Sequence, residues 1–245
     1  MKLLLIFLVM ISMPLSFKDT QLKNQRVKLA YAEKEKRVKD FFAEKKLNYN
    51  GFQLFIRAFK KEEELEAWVK EKGKEEFELL HTYPFCTSSG TLGPKRKEGD
   101  LQIPEGIYHL NHFNPQSNFH LSLGVSYPNA SDKILGDKQH PGGSIYIHGN
   151  CVTIGCIPIT DDKIKELYIV AVEAKNNGQE TIPIHIFPDR LDAGVPEKLA
   201  QQYPVDEKVL DFWKNLQTIY LDFKATKKLK QVHVNRTGEY VLAGE

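Results

Sequence analysis

The sequence has little excess charge, few cysteines and only one long apolar run. Each of these features excludes some classes of function. Its 34 Lys and Arg residues against 32 Asp and Glu residues leave a formal charge of +2 over 245 residues. Nucleic-acid binding needs concentrated positive charge, whereas the basic residues here are interleaved with acidic ones, so nucleic acid is not expected as a partner. Hydrophobic residues at 41% and charged residues at 27% are ordinary globular values, which argues against wholesale disorder.

The apolar run lies at the N-terminus. Lys2 precedes the apolar residues 3–13, and charged sequence begins at Lys18. The run is too short to span a bilayer, which takes roughly 20 apolar residues, and its layout is typical of a secretory signal peptide. We therefore predict a signal peptide at residues 1–17 with Ser16 as a candidate final residue, and an exported mature protein without a membrane span. The alternative is a buried N-terminal helix, because a single Lys is a thin positive region.

If the protein is exported, the number of cysteines bears on which of them form disulfides. The chain has three cysteines, Cys86, Cys151 and Cys156, so at least one thiol lacks an intramolecular partner. A chain of this size does not need a disulfide to fold, and an unpaired thiol in an oxidising compartment is more easily explained by chemistry than by packing. Three arrangements stay open: a Cys86–Cys151 pair that leaves Cys156 free, a small regulatory Cys151–Cys156 disulfide, or two buried thiols.

Turn residues and hydrophobic periodicity indicate a chain of helices and strands with a β-rich middle. Gly and Pro recur every few residues between positions 86 and 148, which predicts a β-dominated core with functional loops. Leu65, Trp68 and Val69 share one side of a predicted short helix that Gly73 closes. The predicted helices are 20–46, 62–70, 161–175 and 206–223, and the predicted strands are 52–59, 77–85, 106–110, 119–125, 144–148 and 181–187, with a terminal strand or hairpin at 231–242.

The candidate chemistry lies in residues 147–157. His148 ends a predicted strand, Gly149 opens a loop, and Cys156 follows Gly155. Such a loop can fold back and place the imidazole beside the thiol, where the imidazole takes the proton of a cysteine nucleophile and stabilises the ion pair. Gly155 allows a sharp turn that aims backbone N–H groups at a carbonyl bound at the thiol, as an oxyanion hole requires.

His148-Gly149 followed by Thr153-Ile154-Gly155-Cys156-Ile157 resembles the active-site signature of YkuD-type L,D-transpeptidases, which crosslink or trim bacterial peptidoglycan through a cysteine acyl-enzyme. The sequence is similar above all to the YafK-like branch, over nearly the whole mature chain. The other segments that carry the resemblance are Tyr83-Pro84-x-Cys86, Ser89-Gly90-x-x-Gly93-Pro94-Lys95, Gly99-Asp100, Pro104-Glu105-Gly106-x-Tyr108, Asn114-Pro115, Tyr127-Pro128-Asn129 and Asp211-Phe212-Trp213. The resemblance implies that Cys156 is the nucleophile, His148 the general base and Gly149 the source of the carbonyl that orients the imidazole.

The resemblance also implies two-step acyl transfer on peptidoglycan stem peptides in the bacterial periplasm or cell envelope, with no metal and no organic cofactor. A wall-linked lipoprotein is a further expected partner, because members of this branch are associated with detaching protein from peptidoglycan. The oxyanion loop is expected to include Thr153 and Gly155. Substrate contacts are expected from Lys95, Arg96, Asn150 and Tyr127. For the basic cluster 95–97 the alternative is an ordinary solvated face.

Two positions depart from the commoner family pattern. Ile154 stands where that pattern has His, and Pro158 stands where it has Arg. The missing Arg removes a bidentate contact to a substrate carboxylate or a loop carbonyl, so the choice between transfer and hydrolysis stays open. The alternatives to a transpeptidase are a hydrolase or amidase of the same fold that cuts protein–peptidoglycan or L,D-peptide links, and a non-catalytic cell-wall-binding module.

The expected fold is α+β, with a β-rich mixed sheet or barrel core of the L,D-transpeptidase type and helices added at both ends. After the signal peptide, residues 18–50 are expected to contain an exposed charged helix. Residues 51–190 form the predicted catalytic domain. Residues 191–245 are expected to add a C-terminal helix and strand packed on the core.

Overall fold

The computed structural model describes residues 15–244, so residues 1–14 of the predicted signal peptide lie outside the described residues. The helices are Phe17–Gln21 (α1), Gln25–Glu44 (α2), Ala130–Leu135 (α3), Asp161–Asn176 (α4), Val195–Gln202 (α5) and Glu207–Thr226 (α6). The strands are Phe52–Phe59 (β1), Glu64–Glu71 (β2), Glu78–Pro84 (β3), Gly106–Asn114 (β4), Ser122–Val125 (β5), Tyr146–His148 (β6), Ile157–Pro158 (β7), Pro183–Phe187 (β8), Val232–Val234 (β9) and Tyr240–Leu242 (β10).

Strands β1–β8 form one mixed sheet in the order β3-β2-β1-β8-β4-β5-β6-β7. The pairs β1/β8 and β6/β7 are parallel, and the other neighbours are antiparallel. Near the C-terminus β9 and β10 pair as a separate hairpin. This mixed sheet with flanking helices confirms the expected α+β class. No helix within residues 15–244 is long and apolar enough to cross a membrane.

The central strand β1 is buried on both faces, because helices cover the sheet from two sides. One set of alternate side chains joins the core cluster that contains α2 and α4, namely Phe52, Leu54, Ile56 and Ala58. From the other set, Phe59 packs with Trp213 and Tyr220 of α6, and Phe55 packs with Phe223. The aromatic and branched residues of 52–59 therefore form a strand in the middle layer of the domain.

Residues 62–70 were predicted as a helix, and that prediction is wrong. β2 occupies this region and pairs with both β1 and β3. Its alternate residues Leu65, Ala67 and Val69 point into the α2/α4 core. On the other face the buried Glu66 carboxylate accepts hydrogen bonds from Arg57 Nε at 3.1 Å and Trp68 Nε1 at 2.7 Å.

The charged N-terminal helix packs on the core with one face and exposes the other. The buried residues of α2 are Val27, Ala30, Tyr31, Val38, Phe41 and Phe42. The Tyr31 hydroxyl donates to Glu173 of α4 at 2.9 Å. In the short helix α1, which precedes α2, Ser16 and Asp19 form a reciprocal capping pair. The ring centroids of Phe17 and Phe113 lie 5.0 Å apart. Thus the last two residues of the predicted signal segment take part in this fold.

A buried ion pair holds the long loop between β3 and β4. Lys60, the residue after β1, donates through Nζ to Glu105 at 2.9 Å and to the carbonyl groups of Gly93 and Ile103. Glu105 also accepts from the Gly93 N–H and from Trp213 Nε1, each at 2.7 Å. Burial lowers the pKa of Lys60, and the neighbouring Glu105 carboxylate opposes that shift. The loop is thereby tied to both β1 and α6.

We expect Lys60→Met to lower the free energy of unfolding by about 3–5 kcal/mol, because it leaves the Glu105 carboxylate buried without its partner. The matched control is Lys36→Met, which removes the exposed ion pair with Asp40 on α2 and should cost about 0.5 kcal/mol or less. Urea denaturation followed by circular dichroism measures both variants. Equal losses would contradict the role given to the buried pair.

Candidate active site

Two short parallel strands at one edge of the sheet position His148 and Cys156. β6 ends at His148, and β7 begins directly after Cys156. The register places His148 opposite Pro158. Because the strands run parallel, the loop 149–156 returns the chain to the starting end of β6. Cys156 therefore lies alongside the beginning of the strand that His148 ends.

The imidazole of His148 is buried and held in one orientation. Its Nδ1 lies 2.5 Å from the carbonyl oxygen of Gly149, and a carbonyl only accepts hydrogen bonds, so Nδ1 carries the proton and Nε2 is the free acceptor. The ring also packs against Phe119 at 4.7 Å. Burial lowers the pKa of His148, and the bond to Gly149 opposes the shift. At neutral pH the ring is therefore an uncharged base.

Cys156 is the free cysteine of the three, and its side chain opens to a groove of about 290 Å³. The groove is lined by Lys95, Glu98, Gly99, Leu101, Gly142, Gly143, Ser144, Ile145, Ile154 and Cys156. Sγ lies 3.7 Å from the Ser144 carbonyl oxygen. Burial raises the pKa of the thiol, whereas the Tyr146 backbone and the Lys95 ammonium act to lower it. A neutral thiol is thus the resting form at neutral pH.

The Thr153 hydroxyl organises the backbone around the thiol. Its oxygen accepts from the N–H groups of Gly155 at 3.1 Å and Cys156 at 2.8 Å, and it donates to the Cys156 carbonyl at 2.9 Å. The two N–H groups expected to face a bound carbonyl are therefore engaged by Thr153 in this structure. Gly155 has φ +131°, and a Cβ there would lie 2.9 Å from the Gln102 carbonyl oxygen, so both conformation and space require glycine.

Cys86 and Cys151 form a disulfide, with Cα atoms 5.5 Å apart. Of the three arrangements that the sequence left open, the structure has the Cys86–Cys151 pair, with Cys156 free. The backbone N–H of Cys86 also donates to the Pro158 carbonyl at 2.9 Å. The loop between His148 and Cys156 is consequently connected to the chain that follows β3.

Lys95 lies in the groove, and Tyr127 lies behind it. The Lys95 ammonium is buried, where it donates to Asp100 at 2.6 Å and to the Lys97 carbonyl at 2.9 Å. The Tyr127 ring lies 5.9 Å from this ammonium, and its hydroxyl donates to the Pro141 carbonyl at 2.8 Å. The alternative of an ordinary solvated face therefore does not apply to Lys95.

Arg96 and Asn150 do not line the groove around Cys156. The Arg96 guanidinium lies 3.5 Å from Asp132 and 4.8 Å from the Phe212 ring centroid. Asn150 has φ +61° and donates its N–H to Asp161 at 2.7 Å. It lines a separate cavity of about 550 Å³ together with Arg26, Asn118, Phe119, His120, Cys151, Thr160 and Asp161.

Two acidic residues that shape the site were not predicted from the sequence. Asp100 anchors Lys95 and also accepts from the N–H groups of Arg96 and Lys97. Asp161, at the start of α4, anchors the loop through Asn150. The local signals were a Gly-Asp turn and an acidic residue in the first helical turn, and neither signal points by itself to an active site.

The chain is thus an α+β domain with a reduced, groove-lining cysteine directly before β7 and a buried histidine at the end of the neighbouring strand β6. The sequence model of the family described as "YkuD: L,D-transpeptidase catalytic domain" matches residues 56–184. The chain belongs to this family, whose members act on peptidoglycan in the cell envelope. The resemblance seen in the sequence is confirmed.

The chain is also similar to the following relative and solved structures. YafK of Escherichia coli K12 is 34% identical over 196 residues, which cover 79% of this chain and 75% of YafK. The helical cell shape determining protein Pgp2 from Campylobacter jejuni is 18% identical, with a TM-score of 0.45 and coverage of 76% of this chain and 73% of Pgp2. L,D-transpeptidase 1 of Mycobacterium tuberculosis is 19% identical, with a TM-score of 0.31 and coverage of 56% and 62%.

Gly149→Ala is expected to destabilise the protein by about 1–3 kcal/mol through overpacking. The new Cβ would lie 2.5 Å from Asp161 Oδ1 and 2.9 Å from the Phe119 carbonyl oxygen. Gly143→Ala is the matched control, since a Cβ there has open space, and its effect should stay within about 0.5 kcal/mol. Thermal unfolding compares the two variants. An unchanged stability of Gly149→Ala would show that the site has more room than the structure gives it.

The rate at which iodoacetamide alkylates Cys156 should rise with pH. It should level off at a higher pH than for a free cysteine, whose pKa is about 8.5. Burial raises the thiol pKa, and only the thiolate reacts. Lys95→Met removes a charge that lowers this pKa, so its curve should shift to higher pH, whereas Lys97→Met, at an exposed position, should leave the curve in place. Intact mass against time measures the rates. A curve for Lys95→Met that coincides with the wild-type curve would rule out this electrostatic contact.

Proposed function

We propose that this protein is an exported cysteine acyltransferase that acts on peptidoglycan stem peptides, with Cys156 as nucleophile and His148 as general base. The observation that carries the proposal is a reduced thiol on an open groove, beside a strand whose final histidine has its Nδ1 proton committed to Gly149. That arrangement leaves Nε2 to receive a proton. Membership of the family supports the substrate class.

The first half-reaction forms a thioester. His148 Nε2 takes the thiol proton, and Cys156 Sγ attacks the carbonyl of a bond between an L-centre and a D-amino acid. The carbonyl oxygen becomes an anion that the N–H groups of Gly155 and Cys156 stabilise in place of Thr153. One such donor is typically worth about 3 kcal/mol. The bond to the D-amino acid then breaks, and its departing amine takes the proton from His148.

The second half-reaction releases the acyl group. An amine or a water molecule gives a proton to His148 and attacks the thioester carbon, and the Cys156 thiolate leaves and takes the proton back. Lys95 lines the same groove and is the candidate substrate contact there, while its ammonium is held by Asp100. Tyr127 contributes indirectly, since its ring packs against that ammonium.

A second candidate is a hydrolase that uses the same site to cut the link between peptidoglycan and a wall-linked lipoprotein. The observation that favours it is Pro158, opposite His148 in the sheet, where the commoner family pattern has an Arg to bind a carboxylate. Water needs no such contact. Incubation with stem peptides and a labelled D-amino acid separates the two: incorporation of label indicates transfer, and loss of the terminal residue without incorporation indicates hydrolysis.

A carbapenem is expected to acylate the protein once, as seen by intact mass. Cys156→Ala should abolish the adduct, because it removes the nucleophile. His148→Asn should slow its formation by about 10²–10⁴-fold through loss of the base, while His233→Asn, at an exposed position of β9, should match the wild type. An adduct that persists in Cys156→Ala would contradict the proposal. Unchanged muropeptide profiles with retained wall binding in that variant would instead indicate a binding module.

A further inference from the structure

The Cys86–Cys151 disulfide joins the two edges of the sheet. β3 and β7 are the edge strands in the sheet order, and Cys86 lies two residues after β3. There its N–H reaches the carbonyl of Pro158 in β7 at 2.9 Å, and its sulfur is bonded to Cys151. The covalent link therefore lies in the loop 149–156, between the histidine and the cysteine of the site.

This loop gains little stability from burial. Val152 is 51% exposed and Ile154 is 79% exposed, so its apolar side chains contribute little hydrophobic stabilisation. The Thr153 hydrogen bonds lie within the loop itself. Hydrogen bonds to the rest of the chain lie at the two ends of the loop: the N–H groups of Gly149 and Asn150 donate to Leu121 and Asp161, and Cys156 Sγ lies 3.7 Å from the Ser144 carbonyl oxygen. A loop anchored at its ends, with exposed apolar residues in its middle, opens more easily there unless the middle is tied down.

We propose that the Cys86–Cys151 disulfide is a positioning element that keeps the nucleophile loop 149–156, and hence Cys156, in register with His148. This inference rests on the proposed function. Cys86 and Cys151 act through the loop and not on the substrate. Their bond also consumes the two thiols that would otherwise be able to pair with Cys156.

The test compares four samples: wild type and Cys86→Ser/Cys151→Ser, each with and without a phosphine reductant. Turnover of stem peptides and amide hydrogen exchange of the loop are measured on each. We expect reduction of the wild type to lower kcat tenfold or more, since a displacement of about 1 Å can cost about 10²-fold in rate. KM should change less than about twofold, because Lys95 and Leu101 of the groove lie on another segment. Loop exchange should become about tenfold faster, while exchange in β1 stays unchanged.

The double variant should match the reduced wild type and should not respond to reductant. Reoxidation of the reduced wild type by oxidised glutathione, which takes up the two thiol hydrogens as two reduced glutathiones, should restore the rate, and the double variant should show no such recovery. Circular dichroism confirms that each sample is folded. If the double variant does not fold, the reduced and reoxidised wild type provide the same comparison.

Loop exchange equal to that of the wild type in a folded sample without the disulfide overturns the proposal, whatever the activity. Faster exchange with an unchanged kcat also overturns it, because the loop would then move without consequence for the nucleophile. Absence of turnover in the oxidised wild type is failure of the proposed function. In that case the rate of carbapenem acylation at Cys156 replaces kcat, and loop exchange still decides whether the disulfide holds the loop.

Discussion

The groove beside Cys156 depends on the buried ion pair between Lys60 and Glu105. Both side chains are almost fully excluded from water, and a charge in that position is costly unless it is paired and hydrogen-bonded. The surrounding carbonyl groups, the Gly93 N–H and the Trp213 indole meet this condition. The pair fixes a loop that supplies one wall of the groove, including Lys95. The shape of the site is thus determined by residues that do not face it.

The parts of the fold that the sequence predicts well are those with a local cause. β1 was predicted at its observed bounds, because aromatic and branched residues favour a strand that is covered on both faces. His148 and Cys156 stand out as candidates because a strand end, a glycine turn and a helix start lie close together in the sequence. Residues 62–70 were mispredicted, since Glu, Ala and Lys favour a helix in isolation, while pairing with β1 and β3 decides the actual conformation.

The remaining features arise from contacts between distant parts of the chain. The disulfide spans 65 residues, and no spacing rule chooses between Cys86 and Cys156 as the partner of Cys151. Lys95 has the sequence context of a solvated loop, yet the fold buries it against Asp100. Asn150 adjoins the disulfide but faces a different cavity. The disulfide depends on how the chain after β3 meets β7, and the burial of Lys95 depends on how its loop packs on the core; local pattern encodes neither.

In the proposed mechanism, the hydroxyl of Thr153 competes with a substrate carbonyl for the N–H groups of Gly155 and Cys156. An uncharged carbonyl oxygen that displaces it merely substitutes one acceptor for another, so the number of hydrogen bonds is conserved and little affinity is gained. The exchange becomes favourable once the oxygen carries negative charge, because bonds to a charged acceptor are roughly twice as strong. N–H donors that are already bonded to Thr153 therefore stabilise the oxyanion more than the neutral carbonyl. Such a difference raises the rate of the reaction and does not tighten binding of the substrate.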